Sequence, residues 1–315
     1  MGKHVIVGAG PVGSTTATVL ADQGHEVVVV TRRGRGPHHA GIRLEAADAA
    51  DVTAVAALAE GAESLYNCVN PPYDRWAQQW PAMANGLLAA AERTGARLVT
   101  MSNVYGYGPV DGPMTEDLPL AAGFTNGRIR AEMWQEALAA HEAGRVRVTE
   151  ARAADFFGPL VEGSSFGDRV VPRVLAGKGV KVLGDPDVPH SLTYMGDVAA
   201  ALAVLGTDDR ALGRAWHVPT NPARTQREMV AALCDVAGVA RVKVGTIGRL
   251  ALRAAGVFVH ELRPMSDVLY QFERPFVLDS SAFTTTFGLE PTPVDEALAA
   301  TAAWYRQQAA APAAA

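Results

Sequence analysis

The chain opens on an apolar run. Lys3-His4-Val5-Ile6-Val7 has the length and composition of a short buried strand. It leads straight into Gly8-Ala9-Gly10-Pro11-Val12-Gly13, which opens a helix over about Ser14 to Gln23. Gly24 stops that helix, and His25-Glu26-Val27-Val28-Val29-Val30 supplies a second strand. The stretch from Ala46 to Glu60 is alanine-rich and turns helical after Asp48 and Asp51. Ser64 to Val69 is strand-like and ends in Asn70-Pro71-Pro72. Trp76 to Arg93 carries Trp76, Trp80, Met83, Leu87, Leu88 and Ala91 at helical spacing, Gly95 closes it, and Arg97 to Ser102 is the next strand. Strands alternating with helices predict an α/β fold, a doubly wound parallel sheet with helices on both faces. Ligands of such sheets bind outside the carboxyl ends of the strands. Gly8, Thr31, Asn70 and Ser102 are those ends here, and they should converge on one cleft.

Beyond Ser102 the pattern is less regular. Tyr105 to Asn126 is rich in Gly and Pro and reads as a loop over the cleft, Arg128 to Ala143 as a helix, and Val146 to Arg152 as a sixth strand. Shorter elements follow Gly158-Pro159. Asp197 is a good N-cap for a helix over Val198 to Leu205, and Thr292 for another with Pro293 in its first position, ending near Gln308. Tyr270, Phe272, Arg274 and Phe276 alternate as in a half-buried strand. The tail, 309–315, has no reason to be ordered.

The order strand, Gly-x-Gly-x-x-Gly, helix predicts a dinucleotide site at Gly8, Gly10, Pro11, Val12 and Gly13. The first glycine makes the tight turn, the second lets backbone approach a pyrophosphate, and the third lets helix pack on strand. The helix N-terminus then faces the phosphates with unpaired N–H groups and a favourable dipole. The end of the second strand reads Thr31-Arg32-Arg33-Gly34-Arg35, with no carboxylate for a ribose 2′-hydroxyl. Arg32 and Arg33 can hold a 2′-phosphate instead, so NADP(H) is favoured over NAD.

Composition changes this picture little. The chain has 315 residues, 49% hydrophobic and 19% charged, a formal net charge of −5 and a pI near 5.9. That argues against nucleic acid or an anionic membrane as partner, and a first strand at the N-terminus with no long apolar run points to a cytoplasmic protein. Cys68 and Cys234 are read as reduced structural thiols. His38 and His39 lack a third ligand at usable spacing, so no metal site is expected, and they read as surface or phosphate contacts.

In order and spacing these residues resemble the short-chain dehydrogenase/reductase superfamily, in its extended branch of epimerases, dehydratases and related reductases. The similarity rests on Gly8-x-Gly10-x-x-Gly13, Asp48-Ala49-Ala50-Asp51, Asn85, Ser102-Asn103-Val104-Tyr105-Gly106 and Phe157-Gly158-Pro159. It continues in Thr193-Tyr194-Met195-Gly196-Asp197-Val198-Ala199 and in Phe287-Gly288-Leu289-Glu290-Pro291-Thr292-Pro293. The resemblance implies a Rossmann domain over residues 1–157 and a smaller substrate lobe over 158–308, with about 190–220 returning to the sheet. It implies that Asp48 contacts the adenine, that Asn70 and Pro71 lie along the cofactor, that Asn85 belongs to the same site, and, by analogy, a homodimer.

One departure stands out. The superfamily uses Tyr-x-x-x-Lys, in which the lysine lowers the tyrosine pKa and binds the ribose. This chain has no lysine between His4 and Gly177. Asn126 falls where the tyrosine belongs, Arg130 where the lysine belongs, and Met101 where the catalytic Ser/Thr belongs, with Ser102 one place later. Arg130 can still bind a ribose and favour a nearby phenolate. Tyr105 is the preferred proton donor, ahead of Tyr107 and Tyr73, with Ser102 as hydrogen-bond donor to a carbonyl and His190 as a weaker candidate. The expected function is an NADP(H)-dependent oxidoreductase acting on a small carbonyl or alcohol substrate. Alternatives are a non-redox isomerase, dehydratase or cyclase, and a catalytically silent NADP sensor.

Overall fold

The structure, a computed structural model, describes residues 1–248 and 265–310. Its strands are β1 (Lys3–Val7), β2 (Glu26–Thr31), β3 (Ile42–Ala46), β4 (Ser64–Asn67), β5 (Arg97–Asn103), β6 (Val148–Ala153), β7 (Asp155–Phe157), β8 (Val180–Leu183), β9 (Pro189–His190), β10 (Leu192–Tyr194), β11 (Ala215–His217), β12 (Arg224–Thr225) and β13 (Val244–Ile247). Seven of them form one sheet in the order β11-β6-β5-β4-β1-β2-β3, and every pairing in it is parallel. The order turns back at β1, which lies between β2 and β4. That is the switch point at which a doubly wound sheet opens a crevice.

Both faces of the sheet are covered. This is why the second strand is an unbroken valine run. Val27 and Val29 pack with Ile6 and Leu20 against α1 (Pro11–Asp22), and α6 (Met195–Thr207) adds Val198 and Leu202 to the same layer. Val28 and Val30 point the other way, into a layer with Val55 of α2 (Val52–Ala59), Leu87 of α3 (Trp76–Thr94) and Trp134 of α4 (Thr125–Glu142). A further cluster joins Phe157, Val174 of α5 (Val171–Leu175), Val180 and Leu233 of α7 (Gln226–Ala237) to Leu298 and Tyr305 of the last helix, Val294–Ala310.

Several local expectations are corrected. The first helix starts at Pro11, whose fixed φ and missing N–H suit a first helical position, and not at Ser14. Asp197 is no N-cap: it lies inside the first turn of α6, 5% exposed, and accepts hydrogen bonds from the amide and hydroxyl of Thr292. The two presumed caps therefore hold each other. Tyr270 and Phe272 lie in a 3-10 turn, Leu269–Phe272, and not in a strand. Ala309 and Ala310 belong to the last helix, while the rest of the tail lies outside the described residues. Cys68 and Cys234 are both buried and free.

One buried histidine couples the sheet to pH. His4 is fully buried, its Nε2 lies 3.0 Å from Nδ1 of His25, and Nδ1 of His25 already accepts from the amide of Gly2. Nε2 of His4 therefore donates. Burial, with the nearby charges of His25 and Arg97, lowers its pKa to about 4. The unfolded chain takes this proton near pH 6.5, so it binds more protons than the native state between about pH 6.5 and 4. The contribution is fully present above that window and is lost as pH falls through it. Urea unfolding at pH 7 and 4.5 should show His4→Gln declining less steeply than the parent, by up to about 3 kcal/mol. Parallel declines would remove His4 as the cause.

Candidate nucleotide and substrate site

The three glycines after β1 have separable roles. Gly8 has φ of +106°, and a Cβ there would lie 2.5 Å from the carbonyl oxygen of Cys68. A Cβ on Gly13 would lie 1.9 Å from the carbonyl oxygen of Gly8. Those two positions are required by the fold. At Gly10, the N-cap of α1, a Cβ would meet nothing within 4 Å. Its missing side chain keeps open the space over the first amides of the helix, where an anion is favoured.

A cavity of about 400 Å³ extends from this turn along the ends of β1 and β2. Gly8, Gly10, Pro11, Arg32, Asp48, Asn70 and Pro71 line it, so most of the expected cofactor residues come together. Val12 and Gly13 belong to the first turn of α1 beside it. Asp48 also accepts the amide of Ala50 through Oδ1, at 2.9 Å. Thr31 closes the arginine loop on itself, exchanging hydrogen bonds of 2.9 Å with the amide and carbonyl of Arg35. Arg33 is exposed and outside the lining. Asn85 does not join the others. It is exposed and borders a separate small crevice with Asn67, Met133 and Glu150. The nitrogens of His39 bond Asp22 and the amide of Gly41, away from the lining.

A second cavity, of about 380 Å³, shares Gly10, Pro11, Cys68, Val69 and Asn70 with the first. Its lining includes Tyr73, Trp76, Met101, Ser102, Tyr105 and Arg130. It also includes Asp155, Phe156, Ser164, Met195, Gln271 and Phe276. The three residues expected to carry chemistry, Ser102, Tyr105 and Arg130, are therefore neighbours. Asn126 and Arg130 stand one turn apart on α4, and Asn126 donates to the carbonyl oxygen of Tyr73 at 3.3 Å.

Their chemistry differs from the expectation. Arg130 lies in an aromatic cage, its guanidinium 4.7 Å from the ring of Trp76 and 4.4 Å from that of Trp80, and Nη1 donates to the carbonyl oxygen of Met101 at 3.4 Å. Burial lowers its pKa to about 10, still ample to keep it charged at neutral pH, and its buried Nε has no protein partner. Tyr105 is not tuned toward neutrality. Burial first, then the charges of Tyr73 and Asp155, push its phenol well above the ordinary value. Ser102 Oγ supports the buried carboxylate of Glu150, which also pairs with Arg152 at 2.7 Å. Tyr107 is committed to the interior, between Arg152 at 2.8 Å and Nε2 of His217 at 2.7 Å.

The sequence reading missed Asp155. The available signal was its place, a lone carboxylate among Ala153, Ala154, Phe156 and Phe157, just past the end of the sixth strand. His190, ranked low, stands directly behind it at 3.3 Å.

A model of the NAD dependent epimerase/dehydratase family matches residues 4–218. Comparison with curated proteins gives no significant match. Among solved structures, dTDP-glucose 4,6-dehydratase from Bacillus anthracis in complex with NAD superposes with a TM-score of 0.77 at 16% identity, over 98% of this chain and 97% of that one. MoeE5 in complex with UDP-glucose and NAD gives 0.78 at 22% identity, over 98% and 100%. UDP-glucuronic acid 4-epimerase from Bacillus cereus, with UDP-glucuronic acid and NAD, gives 0.77 at 16% identity, over 97% and 99%. At these identities the superpositions establish the shared fold.

The glycine geometry separates fold from binding. Gly10→Ala should keep its melting temperature within a few degrees, since its Cβ enters open space, yet weaken dinucleotide binding about tenfold or more. Gly13→Ala should instead lose on the order of 2 kcal/mol of stability by overpacking. Calorimetry and nucleotide titration of both variants check this; equal behaviour would contradict it.

Proposed function

This chain belongs to the NAD dependent epimerase/dehydratase family, and on that premise we propose that it is an NADP(H)-dependent oxidoreductase of the short-chain dehydrogenase/reductase type, acting on a small carbonyl or alcohol substrate. The observation that carries this reading is the pair of cavities joined at Gly10, Pro11 and Asn70, with Arg32 at one end and titratable side chains at the other. In it residues 1–157 hold the nucleotide, and 158–308 adds Val161, Ser164, Met195, Gln271 and Phe276 to the lining of the second cavity. The preference for NADP(H) rests on Arg32 at the cavity edge and on Thr31 in the place of a ribose-binding carboxylate.

A dinucleotide bound here would supply or accept hydride. Arg130, a residue of the cavity lining, has the donors to hold a ribose hydroxyl in the absent lysine's place. Several neighbours of the same fold carry nucleotide sugars, as their complexes with UDP-glucose and UDP-glucuronic acid state. The described walls of the second cavity offer a diphosphate little. Arg130 is their one cation, already caged, and Asp155 and Glu162 are carboxylates. That favours a small uncharged substrate.

The second reading is a non-redox isomerase, dehydratase or cyclase, favoured by Asn126 in the tyrosine's place. Incubation with NADPH and a panel of aldehydes and ketones separates the two. Stoichiometric NADPH oxidation is expected, and tight binding with no net oxidation on any compound would turn the assignment to the second reading.

Removing the guanidiniums tests the cofactor. Arg32→Ala with Arg33→Ala should weaken NADP binding by about ten- to a hundredfold, the worth of one or two charge-assisted hydrogen bonds, and leave NAD nearly unchanged. Arg32→Ala alone should account for most of it, because Arg33 lies outside the lining. Equal losses for both nucleotides would contradict a 2′-phosphate contact.

A further inference from the structure

A carbonyl reductase must deliver one proton to oxygen, and the side chains in the expected places are poorly suited to it. Asn126 has no acidic proton, Tyr105 is pushed away from neutrality, and Tyr107 is locked between Arg152 and His217. A carboxyl of the same cavity lining is different. Asp155 starts β7 and lines the cavity, its side chain 22% exposed. Among the described residues both hydrogen bonds to it fall on Oδ2, from Ser165 Oγ at 2.9 Å and from His190 Nε2 at 3.3 Å, leaving Oδ1 to the cavity.

His190 is built to serve that carboxyl. It is 1% exposed, and its ring lies between Phe272, at 4.5 Å and 13°, and Phe276, at 5.0 Å and 24°. Nδ1 lies 2.9 Å from the carbonyl oxygen of Gln271. A carbonyl only accepts, so Nδ1 carries hydrogen, and the contact between Nε2 and Oδ2 needs one further proton. The pair therefore holds a single mobile proton between an apolar sleeve and the cavity. The charge of Asp155 is also felt by Tyr73, Tyr105 and Tyr270, the phenols that share its surroundings.

We propose that Asp155 is the catalytic acid–base group of this cavity and that His190 is its positioning residue, holding the shared proton behind it. The proposal rests on the oxidoreductase reading. In the reductive direction the carbonyl carbon gains a hydride, with its electron pair, from the reduced dinucleotide. Its oxygen gains the proton from Asp155, and water restores the proton to the pair. Oxidation of the alcohol reverses each transfer.

Two measurements test it. In full-length protein labelled with ¹⁵N-histidine, long-range ¹H–¹⁵N spectra at neutral pH should show His190 with hydrogen on Nδ1 and a second proton at Nε2 or shared from it. Asp155→Asn should abolish that second signature. A bare Nε2 indifferent to Asp155→Asn overturns the pair. With NADPH and the carbonyl panel, Asp155→Asn should lose about a hundredfold or more in kcat, while NADPH affinity, read by fluorescence titration, changes less than about threefold by the same arithmetic. Preserved binding also reports that the variant folds. An active parent with an equally active Asp155→Asn overturns the catalytic role and leaves the oxidoreductase reading intact. A parent inert on the whole panel overturns the reading and the role together.

Discussion

The contact on which the site depends is the approach of Gly13 to the carbonyl oxygen of Gly8, where a single added carbon would lie at 1.9 Å. This closeness brings α1 back directly behind β1 and points its N-terminus at the crevice where the sheet order reverses. Leu20, Ala17 and Ala21 are thereby pressed onto the layer that Val198, Ala201 and Leu202 of α6 complete. A bulkier residue at Gly13 would displace the helix that supplies the anion-facing amides and loosen one of the two cores that hold the sheet. Site and core share one steric requirement.

Arg130 shows how a fold accommodates the loss of an expected residue. A lysine is a flexible point charge, whereas a guanidinium is planar and stacks well on aromatic faces. Trp76 and Trp80, one turn apart on α3, provide those faces, and the carbonyl oxygen of Met101 takes one of the donors. The cage fixes the cation on the cavity wall and dedicates most of its surface to aromatic contact. Its electrostatic effect on Tyr105 is correspondingly small beside burial, which comes first among the causes that raise the phenol.

How much of this was legible in the chain follows from which features are local. The glycine turn and the valine strand were readable, and Gly8, Gly10, Arg32, Asp48 and Asn70 could be placed around one cavity, because each sits at the end of a regular element and sheet topology gathers those ends. Asn85 lies apart from them, bordering a different crevice, because helix membership says nothing of which side a residue faces. Asp197 and Thr292 each had a good local cap signature, yet they bond one another across 95 positions. Of the alternating Tyr270, Phe272, Arg274 and Phe276, Phe272 and Phe276 flank a buried imidazole, and Tyr270 and Phe272 lie in a 3-10 turn and not in a pleated strand.

Asp155, and its pairing with His190, escaped the same reading for a physical reason. Their pairing needs three segments at once: the exit of β6, the short strand of His190, and the stretch from Gln271 to Phe276, which supplies both stacking rings and the carbonyl that sets the tautomer. No periodicity in any one of them reports the other two. The nucleotide end of the cavity is made of backbone and short-range turns, which a glycine pattern records. The acidic end is made of long-range side-chain contacts, and these become visible only when the segments are packed together. A proton site assembled in this way depends on the docking of 271–276 as much as on its own two residues, so the cofactor half of the cavity could stay intact while the proton half is lost.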